Sequence, residues 1–258
     1  MPSFSVICPA FNASSTIEEA IISVIAQLRP EDELIVVDDG SIDGTSEIVS
    51  NLEGRHKCIR LIKSNHSGPG AARNIAIKNA KNSWLCFIDS DDIWYDNKIK
   101  AVSQLIAEDS RVNFICHSEY HVNGHEKFLV NYSLAYNQQI NLSEQLYMRN
   151  LFSTSAVSCR RDLVLNSGMF DETLMNAQDY ELWLRMSPLI RLAFIPEPYG
   201  EYRFREGNIT SKPVRQKLSN TVKIAMKYSG YAPWYLVTIR FGKLLFQYLK
   251  SFLQKQQP

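Results

Sequence analysis

Three carboxylates fall within four residues at Asp89-Ser90-Asp91-Asp92, directly after the apolar run Trp84–Ile88. Charges packed that tightly repel one another, and a turn at the end of a hydrophobic strand rarely needs so many. A divalent cation bridging to a diphosphate would relieve the repulsion, because Mg2+ and Mn2+ take one or two carboxylates plus phosphate oxygens. The plainer alternative is a charged turn capping the helix that follows. A second acidic turn, Asp38-Asp39-Gly40-Ser41-Ile42-Asp43-Gly44-Thr45, follows the apolar run Leu34–Val37. There Asp38 or Asp39 could accept from a base N–H or a ribose hydroxyl, whereas Asp43 reads as a turn former or helix cap.

Two further segments carry chemistry. Ser67-Gly68-Pro69-Gly70-Ala71-Ala72-Arg73-Asn74 opens a helix after Ile59–Lys63 and is similar to a dinucleotide-binding GxGxxG turn, with Asp89 near the distance of a ribose-binding acid. Three features oppose that reading: Arg73 fills the third glycine position, the turn is not the first strand–helix turn, and Asp89 belongs to a cluster. Arg73 suits a carboxylate or phosphate at a helix N-terminus instead. Asp179, in Gln178-Asp179-Tyr180-Glu181-Leu182-Trp183, opens another helical pattern, as a reactive acid or as an ordinary first-turn acid.

Positioning these turns requires strands that end together. Ser3–Cys8, Leu34–Val37, Ile59–Lys63, Trp84–Ile88 and Phe114–Cys116 are short apolar runs bounded by turn residues, and read as buried strands. Ile17, Ala20, Ile21, Val24, Ile25 and Leu28 form a helical stripe, with Ser15/Glu18 or Thr16/Glu19 as a capping box and Pro30 as its stop. Helices are expected after Gly44, Gly70 and Asp96. This alternation predicts an α/β fold with a mostly parallel sheet flanked by helices, whose ligands sit at strand carboxyl ends. Beyond Ser118 the pattern loosens: Tyr120–Tyr136 reads as a hairpin or mobile loop. Helices are expected at Leu142–Arg149 and Tyr180–Met186, and strands at Leu192–Ile195 and Tyr199–Phe204.

At 258 residues, 45% hydrophobic and 21% charged, the chain can bury one large core. The net charge of +1 hides an asymmetry, since from Gly207 onward there are nine Lys or Arg and no Asp or Glu. Five scattered cysteines without a CxxC pair suggest reduced, mostly buried thiols and a reducing compartment. No signal peptide precedes the first strand, so a cytoplasmic location is expected. In Pro233–Gln254, Thr238, Arg240, Lys243, Gln247, Lys250 and Gln254 form a narrow polar stripe on an otherwise apolar helix. A charge at almost every turn sets it apart from a bilayer-spanning segment. It reads as an amphipathic helix on the inner surface of a membrane, or docked on protein.

The motifs occur in one order: Val6-Ile7-Cys8-Pro9-Ala10-Phe11-Asn12, the acidic turn at Asp38, the glycine turn, Phe87–Asp92 and Gln178–Trp183. Each is weak alone; together they make residues 3–205 resemble the family 2 inverting glycosyltransferases of the GT-A fold. The resemblance implies that Pro9, Ala10 and Asn12 line the nucleotide and that Asp39 contacts the base of a UDP-type donor. Arg73, Asp89 and Ser90 would hold the donor, Asp91 would ligate Mn2+ or Mg2+ on the diphosphate, and Asp179 would be the general base. Where the family often places a His after Tyr-Arg-x, this chain has Arg205, which cannot ligate a metal but can neutralise phosphate.

The organisation so implied is a glycosyltransferase domain over 1–210, with a nucleotide-sugar half (1–117) and an acceptor half (118–210), then a basic helical extension (211–258). The expected reaction moves a sugar from a nucleotide-sugar to a saccharide or lipid-linked acceptor hydroxyl in cell-surface polysaccharide or glycolipid assembly, with no nucleic acid as partner. Sugar-phosphate nucleotidyl transfer would want a Gly-rich basic N-terminal loop, where Pro9-Ala10-Phe11-Asn12 stands instead. A non-catalytic sugar- or lipid-binding scaffold would not need both Asp91 and Asp179.

Overall fold

The computed structural model describes residues 1–204 and 214–253. Arg205 and Gln254, both singled out above, lie outside them. The first half runs β1 (Phe4–Ala10), α1 (Ile17–Ile25), β2 (Glu33–Asp38), α2 (Thr45–Glu53), β3 (Ile59–Lys63), α3 (Pro69–Asn79), β4 (Trp84–Phe87), β5 (Ile93–Trp94) and α4 (Lys98–Glu108). The second half runs β6 (Phe114–Asn123), β7 (Glu126–Val130), α5 (Tyr132–Ala135), α6 (Leu142–Met148), β8 (Val157–Arg160), α7 (Arg161–Asn166), α8 (Gln178–Met186), β9 (Leu192–Arg203), α9 (Val214–Lys227) and α10 (Trp234–Leu253).

Among the described residues one sheet contains all nine strands, in the order β3-β2-β1-β4-β8-β6-β9-β5, with β7 paired to β6. The β3-β2-β1-β4 part is parallel, so its turns emerge on one edge. Every residue of β1, β2 and β4 is buried, as expected for strands covered on both faces. Their side chains alternate between two cores: Ile7, Ile35, Val37, Leu85 and Phe87 pack with α3 and α8, while Val6, Cys8, Leu34, Val36 and Cys86 pack with α1, α2 and α4.

The far half of the sheet is mixed. β8 runs antiparallel to β4 and β6, while β6 and β9 pair in parallel across a register break. On its β8 side, β6 pairs with β8 through Phe114–Cys116 and with β7 from Glu119 onward. That change of partner sits just past the start of β8, beside the carboxyl end of β4, and opens room for a site there. The two strands expected at Leu192–Ile195 and Tyr199–Phe204 are one continuous strand, β9. The expected capping box at α1 is absent: Thr16 Oγ1 donates to the carbonyls of Ala13 and Ser90 instead.

Helices α9 and α10 are built into the main core through Leu218, Ile224, Ala225 and Leu244, and Tyr147 Oη donates to the Ala225 carbonyl at 3.1 Å. Tyr147, fully buried, is therefore a core residue. Among the described residues no helix is long and apolar enough to cross a membrane.

Candidate functional site

The first acidic turn is held by its own residues. Asn12, in the left-handed region at φ 48°, accepts from the Ile42 N–H at 3.0 Å and donates its own N–H to Ser41 Oγ at 2.9 Å. Asp38 accepts from the Ser41 N–H at 3.1 Å. Asp43 accepts from Thr45 N–H and Oγ1 and from Ser14 N–H, contacts that hold its carboxyl below the usual range against the opposing effect of burial. Asp43 is thus a turn former, while Gly44 precedes α2 without a side-chain cap.

Asp39 turns away from that loop towards the glycine turn. Its carboxylate accepts from the N–H groups of Ser67 at 2.9 Å and Gly68 at 2.8 Å and from Ser64 Oγ at 3.1 Å, and His66 Nδ1 lies 3.2 Å away. Two carboxylate oxygens offer about four acceptor sites, and these donors occupy three of them. Gly68 sits at φ 94°, which a side chain would strain, and Pro69 then starts α3.

Arg73 leaves the first turns of α3, nearly buried, and its Nη2 lies 2.5 Å from Asp89 Oδ1. The next residue, Asn74, grips Phe170: its amide donates to the Phe170 carbonyl and accepts from the Phe170 N–H, both at 2.9 Å. The segment that leads into α8 is thereby fixed to α3.

The Asp89–Asp92 turn divides its carboxylates. Asp92 faces inward, 1% exposed, and accepts from Ser155 Oγ at 2.5 Å and the Arg203 N–H at 3.0 Å. Burial, then the neighbouring Asp89 and Asp91 charges, push it well above the usual carboxylate range. Asp89 and Asp91 remain half-buried on the turn. Ser155 is the hub beneath: its Oγ also accepts from the Asp89 N–H at 3.0 Å, and its carbonyl accepts from Lys98 Nζ at 2.7 Å. Lys98 is fully buried with Nζ 3.7 Å from the Trp94 ring centroid, and desolvation pulls it down to about 7 against the charges of Glu119 and Asp92.

Asp179 opens α8, where the helix dipole favours its ionised form. Its Oδ2 accepts from Asn150 Nδ2 at 3.1 Å and lies 3.4 Å from Thr154 Oγ1. Half-buried by exposure but walled by protein, it is pushed above the ordinary carboxylate range, chiefly by lost hydration. An open cavity of about 410 Å³ is lined by Arg73, Asp89, Asn150, Thr154 and Asp179, with Tyr132, Tyr202, Phe204 and His121 among its other lining residues. Pro9, Ala10, Asn12, Asp39, Ser90 and Asp91 do not line it; they sit on or beside the ends of β1, β2 and β4.

The sequence signature of glycosyl transferase family 2 matches residues 5–171. The chain belongs to glycosyl transferase family 2. A relative from Escherichia coli, the UDP-Glc:alpha-D-GlcNAc-diphosphoundecaprenol beta-1,3-glucosyltransferase WfaP, is 28% identical over 223 residues, 85% of each chain. Several rickettsial proteins described as uncharacterized glycosyltransferases are longer, and this chain spans about a third of their length. Two solved structures share the GT-A fold. Staphylococcus aureus TarS 1-349 in complex with UDP-GlcNAc has a TM-score of 0.70 at 23% identity, over 89% of this chain and 72% of its own. The Pyrobaculum calidifontis mannosyltransferase PcManGT in complex with GDP-Man and Mn2+ has a TM-score of 0.71 at 19% identity, over 97% and 71%.

For this family 2 chain the acidic turn fits a metal by its donor set. Among the described residues no three His, Cys, Asp or Glu side chains converge into a closed cage. A cation that borrows diphosphate oxygens needs only one or two carboxylates. Asp92 is turned inward and Asp89 is paired to Arg73, and Asp91 is the third carboxylate of that turn, half-buried like Asp89. Asn150, Thr154, Ser155, Lys98 and His121 escaped the sequence reading. Only the polar run Ser153-Thr154-Ser155 beside an apolar strand could have pointed to two of them.

Proposed function

We propose that the chain is an inverting glycosyltransferase that moves a sugar from a UDP-sugar to a hydroxyl of a lipid-linked saccharide in cell-surface polymer or glycolipid assembly. The observation that carries this is one cavity holding the Arg73–Asp89 pair and Asp179 together. WfaP, by its name, uses such a donor and acceptor, and the TarS complex contains a UDP-sugar. Residues 1–117 serve as the donor half, 118–210 as the acceptor half, and 211–258 as an extension. A peripheral position on the inner face of a membrane suits a lipid-linked acceptor.

Asp179 takes the proton of the acceptor hydroxyl as its oxygen forms the new bond at the anomeric carbon. Asn150 and Thr154 hold the receiving carboxylate. The old carbon–oxygen bond breaks with its electron pair leaving on the nucleoside diphosphate, so one displacement inverts the anomeric centre. Arg73 and Asp89 orient the donor, and Arg205 supplies positive charge to phosphate. A divalent cation at Asp91, when bound, neutralises the departing diphosphate. Asp39 serves the donor indirectly, by fixing the glycine turn from which Arg73 projects.

Incubation with UDP-Glc, UDP-GlcNAc and GDP-Man, with Mn2+ or with EDTA and a polyprenyl-diphosphate-linked sugar, tests the reading. Metal-dependent UDP release with a β-linked product is expected. Release no greater than that of Asp179→Asn with every donor would overturn it.

A further inference from the structure

Helix α10 has two apolar faces, and the body of the protein covers only one. Val237, Phe241 and buried Leu244 pack on the main core, and Arg240 on the same side donates from Nη1 to the Met148 carbonyl at 2.7 Å. Their spacing of three and four residues makes one stripe. Arg240, expected on a polar stripe, is therefore a docking residue. The opposite side presents Phe246 at 68% exposure and Leu249 at 51% with Tyr235 and Ile239, Leu245 at 60% flanks them, and Trp234 at 79% stands exposed at the first residue of the helix, in line with Val237 and Phe241. Exposed Lys243 and Lys250, two turns apart, border this face.

We infer that this outer face of α10 lies flat on an anionic lipid surface. Charge complementarity selects that occupant, since exposed Lys243 and Lys250 border the face and the chain from Gly207 onward has no Asp or Glu to oppose them. Lysines flanking the apolar face can reach phosphate headgroups while their stems stay on apolar surface. Trp234 and Tyr235 suit the depth where apolar rings meet headgroups. Twenty helical residues span about 30 Å, enough for a helix lying in the interface plane, and the helix is not apolar enough to cross.

The attachment has a consequence for the site. Arg240 holds Met148 at the end of α6, two residues before Asn150, which bonds Asp179. A lipid surface under α10 would therefore hold the acceptor side of the cavity near lipid-linked substrates; this last step rests on the acceptor class proposed above, while the lipid contact itself does not.

Flotation of the full chain with vesicles of equimolar phosphatidylglycerol and phosphatidylcholine, and with phosphatidylcholine alone, tests the inference. The chain is expected to float with the anionic vesicles and about tenfold less with the neutral ones. Leu245→Glu with Leu249→Glu should cut flotation by about tenfold or more, and Lys243→Glu with Lys250→Glu should weaken it on anionic vesicles only. Both pairs lie on the solvent side of α10, so unchanged thermal melting is the control for folding. Asp179→Asn should float like the parent, which separates this result from any failure of the catalytic reading. No flotation, or equal flotation by the Leu245→Glu/Leu249→Glu chain, overturns the inference. A concentration-dependent dimer that this double substitution abolishes would assign the face to a second copy and overturn it as well.

Discussion

Arg73 Nη2 stands 2.5 Å from Asp89 Oδ1, and this ion pair ties the start of α3 to the turn after β4 in the lining of the cavity that Asp179 also lines. The guanidinium is nearly buried, and its Cζ lies 5.4 Å from the Phe170 ring centroid. A planar fork in that position is not replaceable by a point charge. The pair couples a helix and a strand that approach the cavity from different directions.

Arg73→Lys should lower kcat/KM by about 10- to 100-fold, because the ammonium cannot keep both the Asp89 contact and the stacking on Phe170. Asp89→Asn should cost a similar factor, and the double variant should lose much less than the product of the two. Steady-state kinetics on the four proteins of the cycle measure this. Strictly multiplicative losses would show that the two side chains act independently.

Asp179 is pushed above the ordinary carboxylate range by burial, with the Asn150 amide pulling the other way. A base that holds its proton more tightly loses competence at a higher pH as the pH falls. The acid limb of kcat/KM should therefore lie above the value of about 3.9 for an exposed Asp. Asn150→Ala removes a donor to the ionised form and should move that limb further up. A pH–rate profile reads the shift, and a limb that stays in place would remove Asn150 from this role. The raised value also means that ionising Asp179 costs folding stability as pH rises through it. Asp179→Asn should thus melt slightly higher than the parent at neutral pH while losing about 100- to 10,000-fold in turnover.

Ser155 joins the two halves of the site: its hydroxyl serves Asp89 N–H and Asp92, its carbonyl serves Lys98, and its neighbour Thr154 faces Asp179. Ser155→Ala leaves a buried carboxyl and a backbone N–H short of a partner, at a cost of about 1–3 kcal/mol. Turnover should fall more than donor KM rises, because the displaced turn and base are needed together only in the transition state. Ser155→Thr keeps the hydroxyl and should restore most of the turnover. Chemical denaturation and steady-state kinetics on the two variants separate stability from positioning.

The parallel strands were legible because burial on both faces leaves nearly continuous apolar runs, as in Phe4–Cys8 and Leu34–Val37. Of the short β8 only the apolar setting of Cys159 was legible, since Val157-Ser158-Cys159-Arg160 has little apolar periodicity, and its place is set by pairing with β4 and β6. Among site residues, acids at strand ends announced themselves by charge in an apolar setting. Asn150 and Ser155 did not, because a neutral polar residue in a loop acquires its meaning only from what folds against it. Asp39 shows the converse: its type and place suggested a ligand contact, while its hydrogen bonds go to the glycine turn. A carboxylate that accepts from backbone N–H groups looks the same in sequence as one that accepts from a base.

Asn74 is the last of these silent contributors. Its amide pairs with both backbone groups of Phe170 and with Glu172 Oε1 at 2.8 Å, bridging α3 to the segment before α8. Those Phe170 groups are buried and have this side chain as partner, so truncation leaves them unpaired. Asn74→Ala should destabilise the protein by about 2–4 kcal/mol and lower the melting temperature by about 5–10 °C. Because Arg73 sits on α3 and the bridged segment leads into α8, which carries Asp179, loosening the bridge should also widen the distribution of distances between the two. Turnover should therefore fall at temperatures well below the melting transition, where nearly all molecules are folded. Thermal unfolding followed by assay at several temperatures distinguishes the two effects. A variant that melts early but keeps full turnover when folded would confine Asn74 to stability.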